Sequence, residues 1–347
     1  MLPLAEKELV TYISSALEKN EAKEGLLGAV SGGPDSTVLL HALAMFHKVF
    51  PSIPVVVATV DHGLRPEAAD EAYAVAEQAH NLGLSHHILC WKGPYPITGV
   101  QEAARNARYQ LLADLAKQLG CSVVMTAHTL DDQAETLLMR LARGSGVAGL
   151  SGMRMFAWKE GVTLCRPFLG IAKTRLVATC ESQNWKYFSD PTNMNAKYTR
   201  VRWRTIAPVL AQEGLTALRL GRFAERCARA NDALDYYAND LYKKVYLPET
   251  MEHGMILDAV QLMAAPDEIG LRVLIMSVQN VTHIPFVRLE RVETFYHALK
   301  EAVSAKGRLK RSLGSGVLEL KKSGKLLIIK EPERFRGRCI FQKNNNL

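Results

Sequence analysis

From its start to about residue 190 the chain alternates short β-branched runs with longer amphipathic stretches, and this alternation most limits the folds open to it. Candidate strands are Leu26–Val30, Val55–Val60, His86–Cys90 and Ser122–Ala127; candidate helices are Ser36–Phe46, Glu67–Leu82, Gln101–Leu119 and Asp131–Leu141. Strands separated by helical stretches pair in parallel, because the helix is the crossover that returns the chain to the same edge. The expected fold class is α/β, a doubly wound and mainly parallel sheet. Each candidate strand runs into a loop containing Gly, His, Asp or Ser. In such a sheet those loops gather at the carboxyl edge, where ligands bind.

Beyond residue 215 the texture changes. Gly221–Val245 has no glycine or proline after its first residue and reads as one long helix; Asp258–Val278 and Pro285–Ala298 read as further helices. From Gly307 the pattern becomes Lys-rich and strand-like, with Gly316–Lys321 and Lys325–Lys330 expected to form a hairpin around Lys322-Ser323-Gly324. Two domains are therefore expected, 1–215 and 216–347: the α/β sheet, then a helical region with a small α+β end. A chain of 347 residues is long enough for each to bury its own core.

The charge is organised rather than large. Lys and Arg number 43 against 35 Asp and Glu, a formal charge of +8. Residues 1–196 carry net −2, residues 197–230 +6, residues 231–299 −5 and residues 300–347 +9. Two basic blocks on a mildly acidic body favour a polyanionic partner. Met1 to Lys19 has acidic residues where a signal peptide is basic, and no run approaches the roughly 20 apolar residues of a membrane helix. Cys90, Cys121, Cys165, Cys180, Cys227 and Cys339 are scattered without a C-x-x-C pair, which suits neither a disulfide scaffold nor a zinc or iron–sulfur site. These features predict a reduced, cytoplasmic protein that engages no membrane.

The most informative string is Gly28-Ala29-Val30-Ser31-Gly32-Gly33-Pro34-Asp35-Ser36-Thr37, set between a candidate strand and a candidate helix. Adjacent glycines let the backbone curl so that its N–H groups converge, which suits phosphate oxygens. Ser36 and Thr37 open the helix, so its positive end faces the same space. Neither the Walker lysine nor the G-x-G-x-x-G spacing is present. The string Ser31 to Ser36 in this context resembles the PP-loop of the ATP pyrophosphatase superfamily, whose fold is Rossmann-like and whose members cleave ATP to AMP and pyrophosphate while adenylating a substrate.

Four further segments resemble one branch of that superfamily, tRNA(Ile)-lysidine synthetase. They are Val60-Asp61-His62-Gly63-Leu64-Arg65, Glu102 to Tyr109, Thr126 to Thr136 running on to Arg143-Gly144-Ser145-Gly146, and Asp190-Pro191-Thr192-Asn193. The resemblance is strong over residues 25–210 and a matter of layout beyond 215. It implies a ligase that uses ATP to adenylate O2 of the wobble cytidine of tRNA(Ile) with a CAU anticodon. The amino group of free L-lysine then attacks C2, which gives lysidine and releases AMP. ATP with Mg²⁺, lysine and that tRNA are the implied cofactors and partners; a homodimer is left open.

The residue types fit that chemistry. Ser31, Gly32, Gly33, Pro34, Asp35 and Ser36 form the ATP loop. Asp35 would repel a phosphate, so a contact to Mg²⁺ or a positioning role is expected. Asp61 and His62, at the end of the second strand, are expected at adenosine or ribose. Arg105 suits a phosphate oxygen during adenylyl transfer, and His128, heading from a strand terminus into the cleft, suits the α-phosphate. Asp132 and Glu135 stand three apart on a helix, so both carboxylates face one way. They suit an ammonium or Mg²⁺, and the resemblance favours lysine. Arg200, Arg202 and Arg204, interleaved with Trp203, suit RNA phosphates and stacking, although Val201 stands where the family's usual string has asparagine. Arg219, Arg222, Arg226 and Arg229 follow at spacings of three and four, as one basic stripe for tRNA backbone. Two alternatives stand beside the ligase: a PP-loop tRNA thiolase, disfavoured by the missing C-x-x-C, and a catalytically silent tRNA-binding protein, disfavoured by the intact loop and acidic pair.

Overall fold

The computed structural model describes residues 2–20, 24–63, 67–188, 199–248, 254–284 and 287–331. Asp190-Pro191-Thr192-Asn193, Lys197, Tyr198, Leu64, Arg65 and Cys339 lie outside the described residues. The chain divides into two compact units that meet between Ala228 and Arg229.

The first unit is built on β1 (Gly25–Ala29), β2 (Val55–Asp61), β3 (Ser85–Cys90), β4 (Cys121–Thr126), β5 (Phe156–Lys159) and β6 (Val162–Cys165). Their order is β3-β2-β1-β4-β6-β5, parallel throughout except for the antiparallel edge strand β5. The helices are α1 (Glu6–Asn20), α2 (Pro34–Val49), α3 (Glu67–Asn81), α4 (Val100–Gln118), α5 (Leu130–Leu141), α6 (Val147–Leu150), α7 (Lys173–Ser182), α8 (Thr199–Gln212) and the start of α9 (Ala217–Val245). The strands β1, β2 and β4 read as nearly unbroken apolar runs because both faces are covered. Leu26, Val57 and Val123 enter one core with residues of α1, α2 and α7, while Leu27, Ala58 and Val124 enter a second core with Leu112, Ala113 and Ala116 of α4. Neighbouring residues thus point to opposite sides, as the period of two requires.

Topology then places the chemistry. From β1 the chain winds outward to β2 and β3, and it returns to β4 on the other side of β1. The order reverses between β1 and β4, so the crevice beyond their carboxyl ends is the predicted ligand position. The loop after β1 is the Ser31–Ser36 string, and the loop after β4 carries His128.

The second unit has the antiparallel order β7-β8-β11-β10-β9, from β7 (Tyr246–Leu247), β8 (Gly254–Asp258), β9 (Leu309–Leu313), β10 (Gly316–Leu320) and β11 (Lys325–Lys330). Its helices are the remainder of α9, α10 (Ala259–Met263), α11 (Asp267–Thr282) and α12 (Leu289–Ser304). Val273, Val278, Phe295, Leu299, Leu318 and Ile328 share its core.

The expected hairpin is present, with Gly324 at φ +80 in its turn. Three expectations need correction. Asp258–Val278 is not one helix: Asp258 ends a strand and caps the short α10, its carboxylate accepting from Val260 and Gln261 N–H, and Pro266 separates α10 from α11. The helix expected at Pro285–Ala298 is Leu289–Ser304. The long helix begins at Ala217, ahead of Gly221, which lies inside it because any side chain there would collide with Leu130. No described helix is long and apolar enough to cross a membrane.

Candidate active site

The loop after β1 is shaped by its glycines and serines. Gly32 sits at φ +83, in the left-handed region, and a Cβ there would press on the Phe188 ring. Its carbonyl accepts from Phe188 N–H at 2.9 Å. The Ser36 hydroxyl accepts from Ser31 N–H at 3.2 Å and donates to Gly33 carbonyl at 3.0 Å, which locks the turn. Gly33 is the N-cap of α2 and offers no side-chain acceptor, with Pro34 next. The open N-terminal end of a sixteen-residue helix therefore faces the crevice, a ready anion site.

Asp35 does not face that space as a free acid. Its Oδ2 accepts from Lys173 Nζ at 2.6 Å, while Oδ1 is buried without a partner among the described residues. Burial raises its carboxyl above the usual range, and the Lys173 ammonium opposes the shift. Lys173 is held in turn: its N–H donates to Asp131 Oδ2 at 2.7 Å, and Leu130 N–H donates to Ile171 carbonyl at 2.9 Å. The first turns of α5 and α7 are thereby fastened together. Sequence reasoning missed Lys173; its one signal is a cation opening a helix just after an apolar strand and Pro167.

At the end of β4, His128 Nδ1 lies 2.8 Å from Thr126 Oγ1. Burial, with Arg166, Arg105 and Arg200 adding to it, pulls His128 down to about 4 against the pull of Asp132. With a value near 4 the imidazole is neutral at pH 7, which leaves it available as a hydrogen-bonding group or proton acceptor rather than as a fixed charge. Thr129 then caps α5 in a reciprocal box with Asp132: Thr129 N–H donates to Asp132 Oδ2 at 2.9 Å, and the Thr129 hydroxyl accepts from Asp132 N–H at 3.4 Å. Burial alone would raise the Asp132 carboxyl, but the Thr129 N–H and neighbouring charges leave it below its ordinary value.

Glu135, one turn on, is buried and meets Arg204 of α8. Arg204 Nε donates to Glu135 Oε1 at 2.5 Å and Nη2 to Oε2 at 3.4 Å, while Nη2 stands 4.0 Å from Asp132 Oδ1. Burial raises the Glu135 carboxyl, with Arg204 opposing. The structure thus brings Asp132, Glu135 and Arg204 together, with a guanidinium against the acids. Arg200 lies within the electrostatic reach of the same acids and of His128.

The other expected residues are less convergent. Asp61 Oδ1 accepts from Gly63 N–H at 2.8 Å, and His62 Nε2 accepts from Arg108 at 3.1–3.3 Å. Burial, then Arg108, pulls His62 down to about 4. Arg105 is exposed on α4, with its guanidinium 5.3 Å from the Tyr109 ring centre. Arg202 is exposed and donates to Thr199 at 3.1 Å. Arg222 and Arg226 are exposed on α9, and Arg219 folds back onto Gly214 carbonyl at 3.1 Å. Among the described residues no group of three or more His, Cys, Asp or Glu is arranged to hold a metal ion.

Comparison with known proteins follows the same lines. A family model described as a PP-loop domain matches residues 6–210. The tRNA(Ile)-lysidine synthase of Methylobacterium nodulans is 49% identical over 319 residues, 91% of this chain and 93% of that protein. That of Rhodopseudomonas palustris is 42% identical, over 92% of this chain and 93% of its own. That of Bradyrhizobium diazoefficiens is 39% identical, over 93% and 97% respectively. Among solved structures, the U34-tRNA thiolase NcsA from Methanococcus maripaludis is similar with a TM-score of 0.54 at 20% identity, covering 63% of this chain and 78% of that one. That likeness concerns the fold.

Proposed function

The chain belongs to the tRNA(Ile)-lysidine synthase family of PP-loop proteins, and on that premise we propose that it joins lysine to C2 of the wobble cytidine of tRNA(Ile) with a CAU anticodon. ATP is consumed, and AMP and pyrophosphate are released. The observation that carries this reading is Arg204 on Glu135. Beside a phosphate-binding loop, a pair of carboxylates already holds a cationic side chain, and a cationic amino acid requires the same partners.

In this reading the loop N–H groups between Ser31 and Ser36 that are not spent on the turn, with the α2 terminus, hold the leaving pyrophosphate, and Lys173 on Asp35 supplies a cation beside the loop. Mg²⁺ accompanying ATP fits Asp35 Oδ1, a buried carboxylate oxygen without a partner among the described residues; one carboxylate plus phosphate oxygens is ordinary Mg²⁺ chemistry. Arg105 and neutral His128 flank the α-phosphate as cytidine O2 attacks. Asp61 and His62 border the nucleoside. Glu135 and Asp132 Oδ1 hold lysine, and the burial that raises Glu135 also makes it the better proton acceptor of the two. Arg204 must leave Glu135 before lysine takes its place. Arg200, Arg202, Arg222 and Arg226 contact tRNA backbone, which gives Arg204 an alternative anionic partner once RNA is bound.

The test is incubation with ATP, Mg²⁺, labelled lysine and a CAU-anticodon tRNA(Ile) transcript. Label is expected in the RNA with one AMP per lysine transferred. Nucleotide binding by folded protein without incorporation would end the ligase reading.

A further inference from the structure

Arg166 follows β6 directly, at the carboxyl edge of the sheet. The register pairs Cys165 with Met125, so Arg166 lies beside the Thr126–His128 turn. It is 6% exposed. Nη1 donates to Arg154 carbonyl at 2.6 Å and Tyr109 interacts with the guanidinium, but Nε is buried with no partner among the described residues. Among the described residues no carboxylate pairs with it. Its neighbours instead share its sign. Arg105 lies 5.3 Å and Lys159 Nζ 4.2 Å from the Tyr109 ring centre, and Arg105 acts repulsively on Arg166.

Arg140 shows what a purely structural arginine looks like in the same unit. Its Nη1 donates to Gly149 and Gly152 carbonyls, both at 2.8 Å, and ties down the turn around α6. Arg166 has one such bond and a donor left over. A desolvated guanidinium without a counter-charge is unfavourable, and adding like charges around it makes it more so. The arrangement becomes favourable when an anion enters among Arg166, Arg105 and the neutral His128. A phosphate, which can accept from several donors at once, suits Arg166 and Arg105 better than a single carboxylate does.

We propose that Arg166 is an anion-binding residue of the reaction site, whose unpartnered Nε takes a phosphate oxygen. The oxygen comes either from the RNA backbone next to the reacting nucleotide or from ATP. The inference rests on the ligase reading above, but its test does not require lysine transfer, so each can fail alone.

Arg166→Gln and Arg166→Lys are prepared, and each is checked for a wild-type melting profile. Affinity for ATP is measured by calorimetry, and affinity for the unmodified CAU-anticodon tRNA(Ile) transcript by filter binding across a salt series. Arg166→Gln is expected to weaken one of the two ligands by roughly tenfold to a hundredfold while sparing the other. Arg166→Lys keeps the charge but loses the planar fork, and a loss of a few-fold is expected. If the phosphate belongs to RNA, the log–log salt slope falls by about 0.7–0.9; if it belongs to ATP, the RNA slope is unchanged. Wild-type affinity for both ligands in the folded variants overturns the proposal. Should Arg166→Gln fail to fold, Arg166→Lys decides alone: wild-type affinities for both ligands would refute the assignment.

Discussion

Among the described residues each compact unit buries one arginine, to nearly the same depth, and the surroundings of the two differ in kind. Arg272 on α11 is 9% exposed and fully matched by its own chain: it donates to Glu268 at 2.8 Å, Asp235 at 2.6 Å and the Asn231 amide oxygen at 2.8 Å. Arg166 has a carbonyl, a phenol and an idle Nε. A buried charge satisfied from within belongs to the framework, whereas one left incomplete among like charges awaits a ligand. The contrast extends beyond the arginines. Among its described residues the first unit also leaves an oxygen of Asp35 unpartnered and keeps Glu135 buried, and both carboxyls are raised by that burial. Folding alone would not favour these choices; a reaction at the sheet's carboxyl edge would.

The largest expected effect falls on the incomplete side. Asp35→Ala should slow AMP formation on the order of 10²–10³-fold, the range seen when one preorganised polar group is removed from a charged transition state. Affinity for the tRNA transcript and the melting temperature should change little. A matching loss of stability, with turnover per folded molecule unchanged, would move Asp35 to the framework class and break the comparison.

Glu135→Gln is next. Loss of one charge-assisted hydrogen bond predicts a lysine KM raised roughly tenfold to a hundredfold, with the ATP KM unchanged. Arg204→Ala sharpens this result, since it removes the competitor. Lysine should then bind the RNA-free protein more tightly than wild type, as measured by calorimetry. Equal effects of Glu135→Gln on lysine and ATP would refute the lysine assignment.

The framework side is tested by Arg272→Met. Breaking a fully buried ion pair is strongly destabilising, but Asp235 and Glu268 are about half exposed, and water can take over their hydration. A loss of about 1–3 kcal/mol is therefore expected. Proteolysis of residues 229–331 should quicken, while ATP affinity stays at the wild-type value.

How far the sequence anticipates these two classes depends on distance along the chain. The strands β1 to β4 were legible to within a residue or so; in β1, β2 and β4 both faces are largely buried and the apolar runs nearly continuous, while β3 lies at the sheet edge. The pair of β6 and the edge strand β5 was not: Phe156–Lys159 carries a lysine and an exposed Trp158, which hide its pairing. The loop at Ser31 and the segment at His128 were legible as strings. Their partners were not, because Lys173 meets Asp35 across 138 residues and Arg204 meets Glu135 across 69. Such pairs leave no local periodicity. Arg204 reads as an RNA contact from its neighbours in sequence, and only the fold sets it against Glu135.

The smallest expected effect is on pH, and it concerns the first unit. His41, His62, His86 and His128 are each pulled down to about 4, chiefly by burial. The unfolded chain, with histidines near 6.5, therefore binds more protons than the folded one between pH 4 and 6.5. Stability from these groups is fully present above pH 6.5 and is lost as pH falls through that window. Asp35 and Glu135 act in the opposite sense, because their raised carboxyls hold a proton more tightly when folded, and that contribution fades as pH rises. One substitution isolates the histidine part. His41 stacks on Trp185 at 3.8 Å with an interplanar angle of 1°, so His41→Phe keeps the stack and removes the titration. The drop in melting temperature between pH 7.5 and pH 5 should shrink in the variant by roughly 2–4 °C. His41 has no part in the proposed reaction, so lysine incorporation at pH 7.5 should be unchanged; an undiminished drop would assign the acid sensitivity to other groups.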